Sequence, residues 1–134
     1  MNEAQLDLSG ARILLVDDQP ANLEVLCALL EAEGYEISLA PSGEIALKIA
    51  ASAEPALDLI LLDVMMPGMD GRAATKALKA DPSTQKIPVI AMTAFAMKGD
   101  RESLLADGFD GYMSKPINTK EIPNLIEGYL EGQP

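Results

Sequence analysis

The stretch "LDLILLDVMMPGMDG", residues 57–71, decides the fold of this chain. Its run of apolar residues is typical of a strand buried on both faces, and it ends at Asp63 just before a Pro-Gly turn. Burial disfavours a charged carboxylate unless another group compensates the charge. The stretch therefore raises the question of which side chains lie beside Asp63 at that end of the strand.

The rest of the chain alternates strand-like apolar runs with helical ones. Strands are predicted over residues 12–17, 35–40, 57–63, 87–93 and 109–114, and helices over 20–34, 42–55, 71–82, 97–108 and 118–132. Ser42 is the expected N-cap of the second helix, and Pro123 is expected in the first turn of the last one. Five strand-then-helix units predict an α/β fold, a doubly wound five-stranded parallel sheet with helices on both faces.

Length and charge limit the possible functions. The 134 residues fit one domain, expected over residues 12–131, with tails over 1–11 and 132–134. A net charge of −11 argues against direct binding of nucleic acid or of anionic membranes. The N-terminus is polar without a basic segment, and no apolar run reaches the ~18 residues of a membrane span, so we expect a cytoplasmic protein without membrane insertion.

Histidine and cysteine counts exclude several chemistries. The chain has no histidine, which rules out a Ser-His-Asp triad, a Cys-His pair and a histidine-ligated zinc ion. Its one cysteine, Cys27, cannot form a disulfide within the chain and lies in a helical run. We interpret Cys27 as a small apolar core residue.

Polar side chains stand where four of the predicted strands end. Asp17 and Asp18 end the first strand, Asp63 the third, Thr93 the fourth, and Lys115 follows the fifth. With strand order 2-1-3-4-5 these four strands are neighbours, and their carboxyl ends form one edge where ligands bind in such sheets. Three close carboxylates repel one another unless a cation neutralises them, and Mg²⁺ prefers oxygen ligands. The set predicts in-line phosphoryl transfer onto a carboxylate, with Lys115 and Thr93 contacting the phosphoryl oxygens.

Each of these residues also has a structural explanation when taken alone. Asp17 and Asp18 could cap the following helix, and Asp63 could be a turn residue. Thr93 could simply end a strand, and Lys115 could be a surface lysine. Their joint occurrence at four neighbouring strand ends favours a functional site.

Four segments, "LLVDDQPANLEVL", "LILLDVMMPGMDG", "IPVIAMTAFAMKGD" and "DGYMSKPI", resemble the CheY-like receiver domains of two-component response regulators. The resemblance covers residues 12–128 and implies a flavodoxin-like fold that acts as a phosphorylation-dependent signalling switch. "TAFAMKGD" and "YMSKPI" are most similar to stand-alone, DivK-type single-domain regulators. Receivers of hybrid histidine kinases are similar too, so an excised piece of a larger regulator stays an alternative.

The resemblance implies a role for each acidic residue. Asp63 would accept the phosphoryl group from a phosphohistidine on a sensor histidine kinase or a histidine phosphotransfer protein. Asp18 and Asp63 would ligate Mg²⁺ directly, together with the backbone carbonyl of Met65, while Asp17 would act through a bound water. Mn²⁺ is the alternative ion.

The resemblance also implies how the switch works. Lys115 would pair with the phosphoryl group, aimed by a cis peptide bond between Lys115 and Pro116. Thr93 would move to bond a phosphoryl oxygen, and Tyr112 would rotate inward behind it. The fourth helix, fifth strand and fifth helix would then present a changed surface to a downstream protein effector. No enzyme activity is expected beyond limited self-phosphorylation from small phosphodonors and autodephosphorylation.

Other classes fit the residues less well. An aspartyl phosphatase of the haloacid-dehalogenase kind needs a second acid two residues after its nucleophile, where this chain has Met65. A nucleotide-binding flavodoxin-like domain needs a phosphate-cradling loop after the first strand, where this chain has "DDQP". A receiver-like domain that has lost phosphorylation would lack site residues that are present here.

Since neither Met65 nor Phe95 can orient a hydrolytic water, we expect a long-lived aspartyl phosphate.

Overall fold

The computed structural model describes residues 10–54, 56–66, 68, 70–94, 98–114 and 120–130. Across these residues, strands and helices alternate in the order predicted from the sequence. The strands are β1 (Arg12–Val16), β2 (Glu36–Ala40), β3 (Leu59–Asp63), β4 (Val89–Thr93) and β5 (Gly111–Ser114). The helices are α1 (Pro20–Ala32), α2 (Gly43–Ser52), α3 (Gly71–Ala80), α4 (Lys98–Ala106) and α5 (Ile122–Leu130).

The five strands form one parallel sheet in the order β2-β1-β3-β4-β5. This confirms the predicted doubly wound fold and its strand order. The register aligns Val16 with Leu62 and Asp63 with Met92. The carboxyl ends of β1, β3 and β4 therefore lie at nearly the same level, which brings the residues at and just after these ends to one edge.

The core has two layers because the central strands are buried on both faces. One face of the sheet packs under α2, α3 and α4, and the other packs under α1 and α5. Every residue of β3 and β4 is buried, and β1 is buried from its second residue onward. This rigid, apolar centre holds the strand ends in fixed positions.

Helix starts follow local capping chemistry. The Ser42 hydroxyl accepts a hydrogen bond from the backbone N–H of Ile45 at 3.2 Å, which confirms the predicted cap of α2. The Asp70 carboxylate accepts one from the N–H of Ala73 at 2.9 Å and caps α3, which the sequence reading had not predicted. Pro123 is the second residue of α5, as expected.

Four predicted strands begin too early: β2 begins at Glu36 and β3 at Leu59, and the last two strands are also shorter than predicted. The strand predicted over 87–93 begins at Val89, because Pro88 has no backbone N–H to donate to a neighbouring strand. The N–H of Val89 instead bonds the Asp110 carboxylate at 2.8 Å. The strand predicted over 109–114 begins at Gly111, and the backbone N–H of Asp110 just before it bonds the Val89 carbonyl at 2.8 Å.

Some predicted elements also extend past their observed C-terminal ends. The helix predicted over 71–82 ends at Ala80, because Pro82 disfavours a helical conformation at Asp81, whose ψ is 120°. The first strand ends at Val16 and not at residue 17.

Cys27 is half-buried on α1 and packs against the core layer under α1 and α5. Burial, followed by the charge of Glu31, raises the pKa of the Cys27 thiol. A raised pKa lowers the thiolate fraction at neutral pH, which fits a packing role better than a reactive one.

Several predictions fall outside the described residues. They concern Lys115 and Pro116, the side chain of Phe95, and the greater part of the two tails, 1–11 and 132–134. Within the described ranges, no helix has both the length and the apolar character needed to cross a membrane.

Candidate functional site

Three carboxylates meet at the carboxyl ends of β1 and β3. Asp17 and Asp18 directly follow β1, and Asp63 is the last residue of β3. Each offers one carboxylate oxygen, and these oxygens lie within 4.8 Å of one another. Asp17 and Asp63 are only 1% and 4% exposed, whereas Asp18 is half-buried. The three acids, which come from two separate segments of the sequence, therefore form the predicted cluster.

Asp17 is held through both of its oxygens. Its Oδ1 accepts a hydrogen bond from the backbone N–H of Gln19 at 2.9 Å. Its Oδ2 accepts one from the side-chain amide of Asn22, in the first turn of α1, at 3.1 Å. The carboxylate is thus fixed in orientation by a turn and a helix together.

The helix-cap explanation of the acidic pair is wrong. The N-cap of α1 is Gln19, and no side chain caps this helix. Asp17 and Asp18 therefore precede the cap position, and both carboxylates belong to the cluster at the sheet edge.

Asp63 is both a turn residue and a member of the cluster. Its Oδ1 accepts a hydrogen bond from the N–H of Met65 at 3.1 Å, which folds the following loop back over the strand end. Gly71, the first residue of α3, packs directly on this end: a Cβ added to Gly71 would lie 2.5 Å from the backbone oxygen of Asp63. The loop and the helix start thus enclose Asp63.

Thr93 ends β4, the strand next to β3, and is 3% exposed. Its neighbour in β5 is Ser114, which is exposed. Tyr112 lies two residues earlier on β5, half-buried against the core layer under α2, α3 and α4. The structure therefore places a buried threonine one strand away from Asp63, and a partly buried tyrosine on the strand after that.

The donor set of the cluster fits a hard divalent cation. All three ligand atoms are carboxylate oxygens, which Mg²⁺ prefers over nitrogen or sulfur ligands. Three carboxylates this close repel one another, and a bound cation would offset that repulsion. The residues present thus suit Mg²⁺ chemically.

Sequence reasoning missed several residues around the site. Asn22 was read only as part of a helix, Asp70 was not recognised as a cap, and Gly71 was not recognised as a close contact. An asparagine five residues after Asp17, in the first turn of the next helix, was the one available signal for the contact to Asp17.

An ion-pair cluster joins α3 to the end of α4. The guanidinium of Arg72 pairs with the Asp107 carboxylate and also donates to the Ser103 hydroxyl, and Lys76 lies 3.5 Å from the same carboxylate. The hydrogen bond from Arg72, more than the charge of Lys76, lowers the pKa of Asp107. Helix α3, whose first residue packs on Asp63, is thereby linked to the end of α4.

Comparison with known families gives a match over most of the chain. The family model described as the response regulator receiver domain matches residues 13–127.

Similar proteins have very different lengths. The polar-differentiation response regulator DivK of Brucella ovis is 42% identical over 118 residues, 88% of this chain and 94% of DivK. The response regulator PleD of Caulobacter vibrioides is 51% identical over 109 residues, 81% of this chain but 24% of PleD. The sensor protein GacS of Pseudomonas syringae pv. syringae is 42% identical over 124 residues, 90% of this chain but 14% of GacS. The chain thus spans nearly all of DivK and less than a quarter of the other two.

A solved structure is similar over nearly its whole length. The receiver domain of the sensor histidine kinase PA1611 from Pseudomonas aeruginosa PAO1 is 35% identical, with a TM-score of 0.82. The match covers 92% of this chain and 99% of that one, and that structure holds a magnesium ion coordinated in its active-site cleft.

Proposed function

This chain belongs to the response regulator receiver domain family, and on that premise we propose that Asp63 accepts a phosphoryl group from a phosphohistidine of a partner protein. The protein is a phosphorylation-dependent signalling switch. The observation that supports Asp63 as the acceptor is its place at the end of β3, within 4.8 Å of oxygens from Asp17 and Asp18.

The cluster supports a cation-assisted transfer. Asp18 and Asp63 would hold Mg²⁺ directly with the backbone carbonyl of Met65, and Asp17 would hold it through water, with Mn²⁺ as a substitute. When bound, the ion neutralises charge on the phosphoryl oxygens. The Asp63 oxygen that does not ligate the ion would attack phosphorus. The new oxygen–phosphorus bond would form as the nitrogen–phosphorus bond breaks, and the imidazole would leave neutral with its proton on the other ring nitrogen.

Thr93 and Lys115 are the proposed contacts of the transferred group. The buried Thr93 hydroxyl is one strand from Asp63, so a small movement would bring it to a phosphoryl oxygen. Lys115, with the proposed cis bond to Pro116, would supply the positive charge on the other side. Tyr112 would then turn inward behind Thr93.

The proposed output surface consists of α4, β5 and α5. Leu105 on α4 and Leu125 on α5 are large apolar side chains that remain 44% and 40% exposed. Tyr112 lies on β5 and Thr93 ends the adjacent strand β4, so a change at these residues would reach this surface directly. The proposed input partner is a sensor histidine kinase or a histidine phosphotransfer protein, and we place both contacts in the cytoplasm.

Phosphorylation by a small donor tests the acceptor assignment. The full chain is incubated with acetyl phosphate and Mg²⁺ and its intact mass is measured. We expect the wild type to gain the mass of one phosphoryl group, and Asp63→Asn to gain none. Chelating the metal should abolish the gain.

Asp58→Asn is the matched control. Asp58 is an exposed aspartate just before the same strand, at the opposite end of the sheet, where it accepts a hydrogen bond from the Arg12 N–H. This variant should be phosphorylated like the wild type. No gain on the wild type, or an equal gain on Asp63→Asn, would overturn the assignment.

A further inference from the structure

The side chain of Asn22 reaches the acidic cluster from helix α1. Its amide donates to Asp17 Oδ2 at 3.1 Å, while the Gln19 N–H donates to Oδ1 at 2.9 Å. These two donors bond different oxygens and come from separate parts of the chain, so together they fix the plane of the Asp17 carboxylate.

The helix holds Asn22 firmly in place. Asn22 is the third residue of α1, and the next turn of this helix is anchored by Leu23 and Leu26, which are 7% and 4% exposed. The backbone N–H of Asn22 also bonds the carbonyl of Gln19 at 3.1 Å. The amide is therefore delivered to Asp17 from a rigid element rather than from a loop.

The hydrogen bond from Asn22 opposes the electrostatic repulsion within the cluster. Asp17 lies beside two other carboxylates. Without a restraint, rotation of its Oδ2 away from them would lower the electrostatic repulsion. A lysine or arginine could restrain it, but its charge would compete with a cation for the same oxygens. An amide restrains the carboxylate and leaves the charge of the cluster intact.

We propose that Asn22 is a positioning residue for the cation site: its side-chain amide holds Asp17 in the orientation in which the acidic cluster binds a divalent cation. The inference rests on the proposed function, because the site is the one that would assist transfer to Asp63. Residues that orient metal ligands typically change metal affinity by ~10–100-fold when they are removed.

A purely structural role for Asn22 makes a different prediction. Asn22→Ala removes a hydrogen bond to a buried carboxylate but introduces a better helix former, so the two effects oppose each other and the unfolding midpoint of the metal-free protein should change little. If Asn22 served only the helix, its removal would change the stability of the metal-free protein and not the affinity for the ion.

Direct titration of the full, unphosphorylated chain with Mg²⁺ tests the proposal. Calorimetry on wild type and Asn22→Ala should show a dissociation constant about tenfold higher in the variant, at unchanged metal-free unfolding midpoint. Val25→Ala is the matched control, because Val25 is an uncharged residue of the same helix and is 52% exposed. This control should bind Mg²⁺ within about twofold of the wild type, well below the expected loss.

A kinetic readout separates positioning from general damage. With acetyl phosphate as donor, the Mg²⁺ concentration for half-maximal phosphorylation should rise about tenfold in Asn22→Ala, while the rate at saturating Mg²⁺ stays close to that of the wild type. Unchanged or tighter Mg²⁺ binding by Asn22→Ala, an equal loss in Val25→Ala, or no Mg²⁺ binding by the wild type would overturn the inference. If the wild type binds Mg²⁺ but gains no phosphoryl mass, the proposed function fails, and the titration still decides the role of Asn22.

Discussion

Replacing Gly71 with alanine tests how closely α3 must pack on the strand that carries Asp63. The added Cβ would lie 2.5 Å from the Asp63 backbone oxygen, 2.6 Å from Leu62 Cδ2 and 2.7 Å from Val64 Cα. Two of these three atoms belong to backbone at the end of a buried strand, so they cannot turn aside as a flexible side chain could.

The geometry sets the size of the effect. To restore an ordinary contact of 3.4 Å with the Asp63 oxygen, the start of α3 must retreat by about 0.9 Å. Overpacking of this kind typically costs ~1–3 kcal/mol, and the better helix propensity of alanine returns at most ~1 kcal/mol. We therefore expect Gly71→Ala to lower the free energy of unfolding by about 2 kcal/mol.

Urea denaturation of the metal-free protein, followed by circular dichroism, measures this change. With a slope of roughly 2 kcal/mol per molar urea, the midpoint should fall by about 1 M. Phosphorylation from acetyl phosphate should slow as well, because the retreat of α3 disturbs the loop that leaves Asp63.

Gly128→Ala is the control for the same chemical change. Gly128 lies inside α5, and a Cβ added there meets no atom of the described residues within 4 Å. Alanine should therefore raise the free energy of unfolding by ~0.5–1 kcal/mol through helix propensity. A midpoint of Gly71→Ala at or above that of the wild type, or an equal fall in Gly128→Ala, would refute the packing argument.

Three further substitutions test other parts of the molecule. Thr75→Val should raise the free energy of unfolding by ~1 kcal/mol, because the buried Thr75 hydroxyl has no hydrogen-bond partner within the described part of the chain; a lower urea midpoint would contradict this. Asp107→Asn should cost ~1 kcal/mol at pH 7, since it removes the carboxylate that pairs with Arg72. Because this pairing lowers the pKa of Asp107 below its ordinary 3.8, its stabilisation is present above that pH and is lost as the pH falls through the lower folded value. The urea midpoint of Asp107→Asn should therefore converge with that of the wild type as the pH falls below 3.8, and a constant gap would count against the ion pair. Phe95→Glu should speed loss of the phosphoryl mass in the presence of Mg²⁺ by orienting water, and rates equal to those of the wild type would remove the basis for a long-lived aspartyl phosphate.

The sequence was sufficient for the order and type of the elements. Buried parallel strands appear as short apolar runs, and the helices repeat apolar positions at helical spacing, so both are visible in local sequence. The rule that ligands gather at the carboxyl ends of such strands then predicted that Asp17, Asp18 and Asp63 would meet. The structure brings these three carboxylates together.

Element ends were harder to predict because partners distant in sequence set some of them. The start of β4 depends on the Asp110 carboxylate, 21 residues away, which binds the Val89 N–H. Lys79 likewise donates to the carbonyls of Gln85 and Ile87 and to Asp110, which fixes the segment between α3 and β4. The periodic spacing of apolar residues in the sequence does not predict these contacts.

What the sequence determined by itself is the order of the strands and the acids near their carboxyl ends, because strand and helix periodicity depends on neighbours a few residues apart. Only the tertiary structure decided how those acids are held. The bond from Asn22 to Asp17 depends on the direction in which α1 leaves the sheet, and the contact of Gly71 with Asp63 depends on how closely α3 packs against β3. Both are distances between elements, which are set by the packing of the whole core rather than by local sequence.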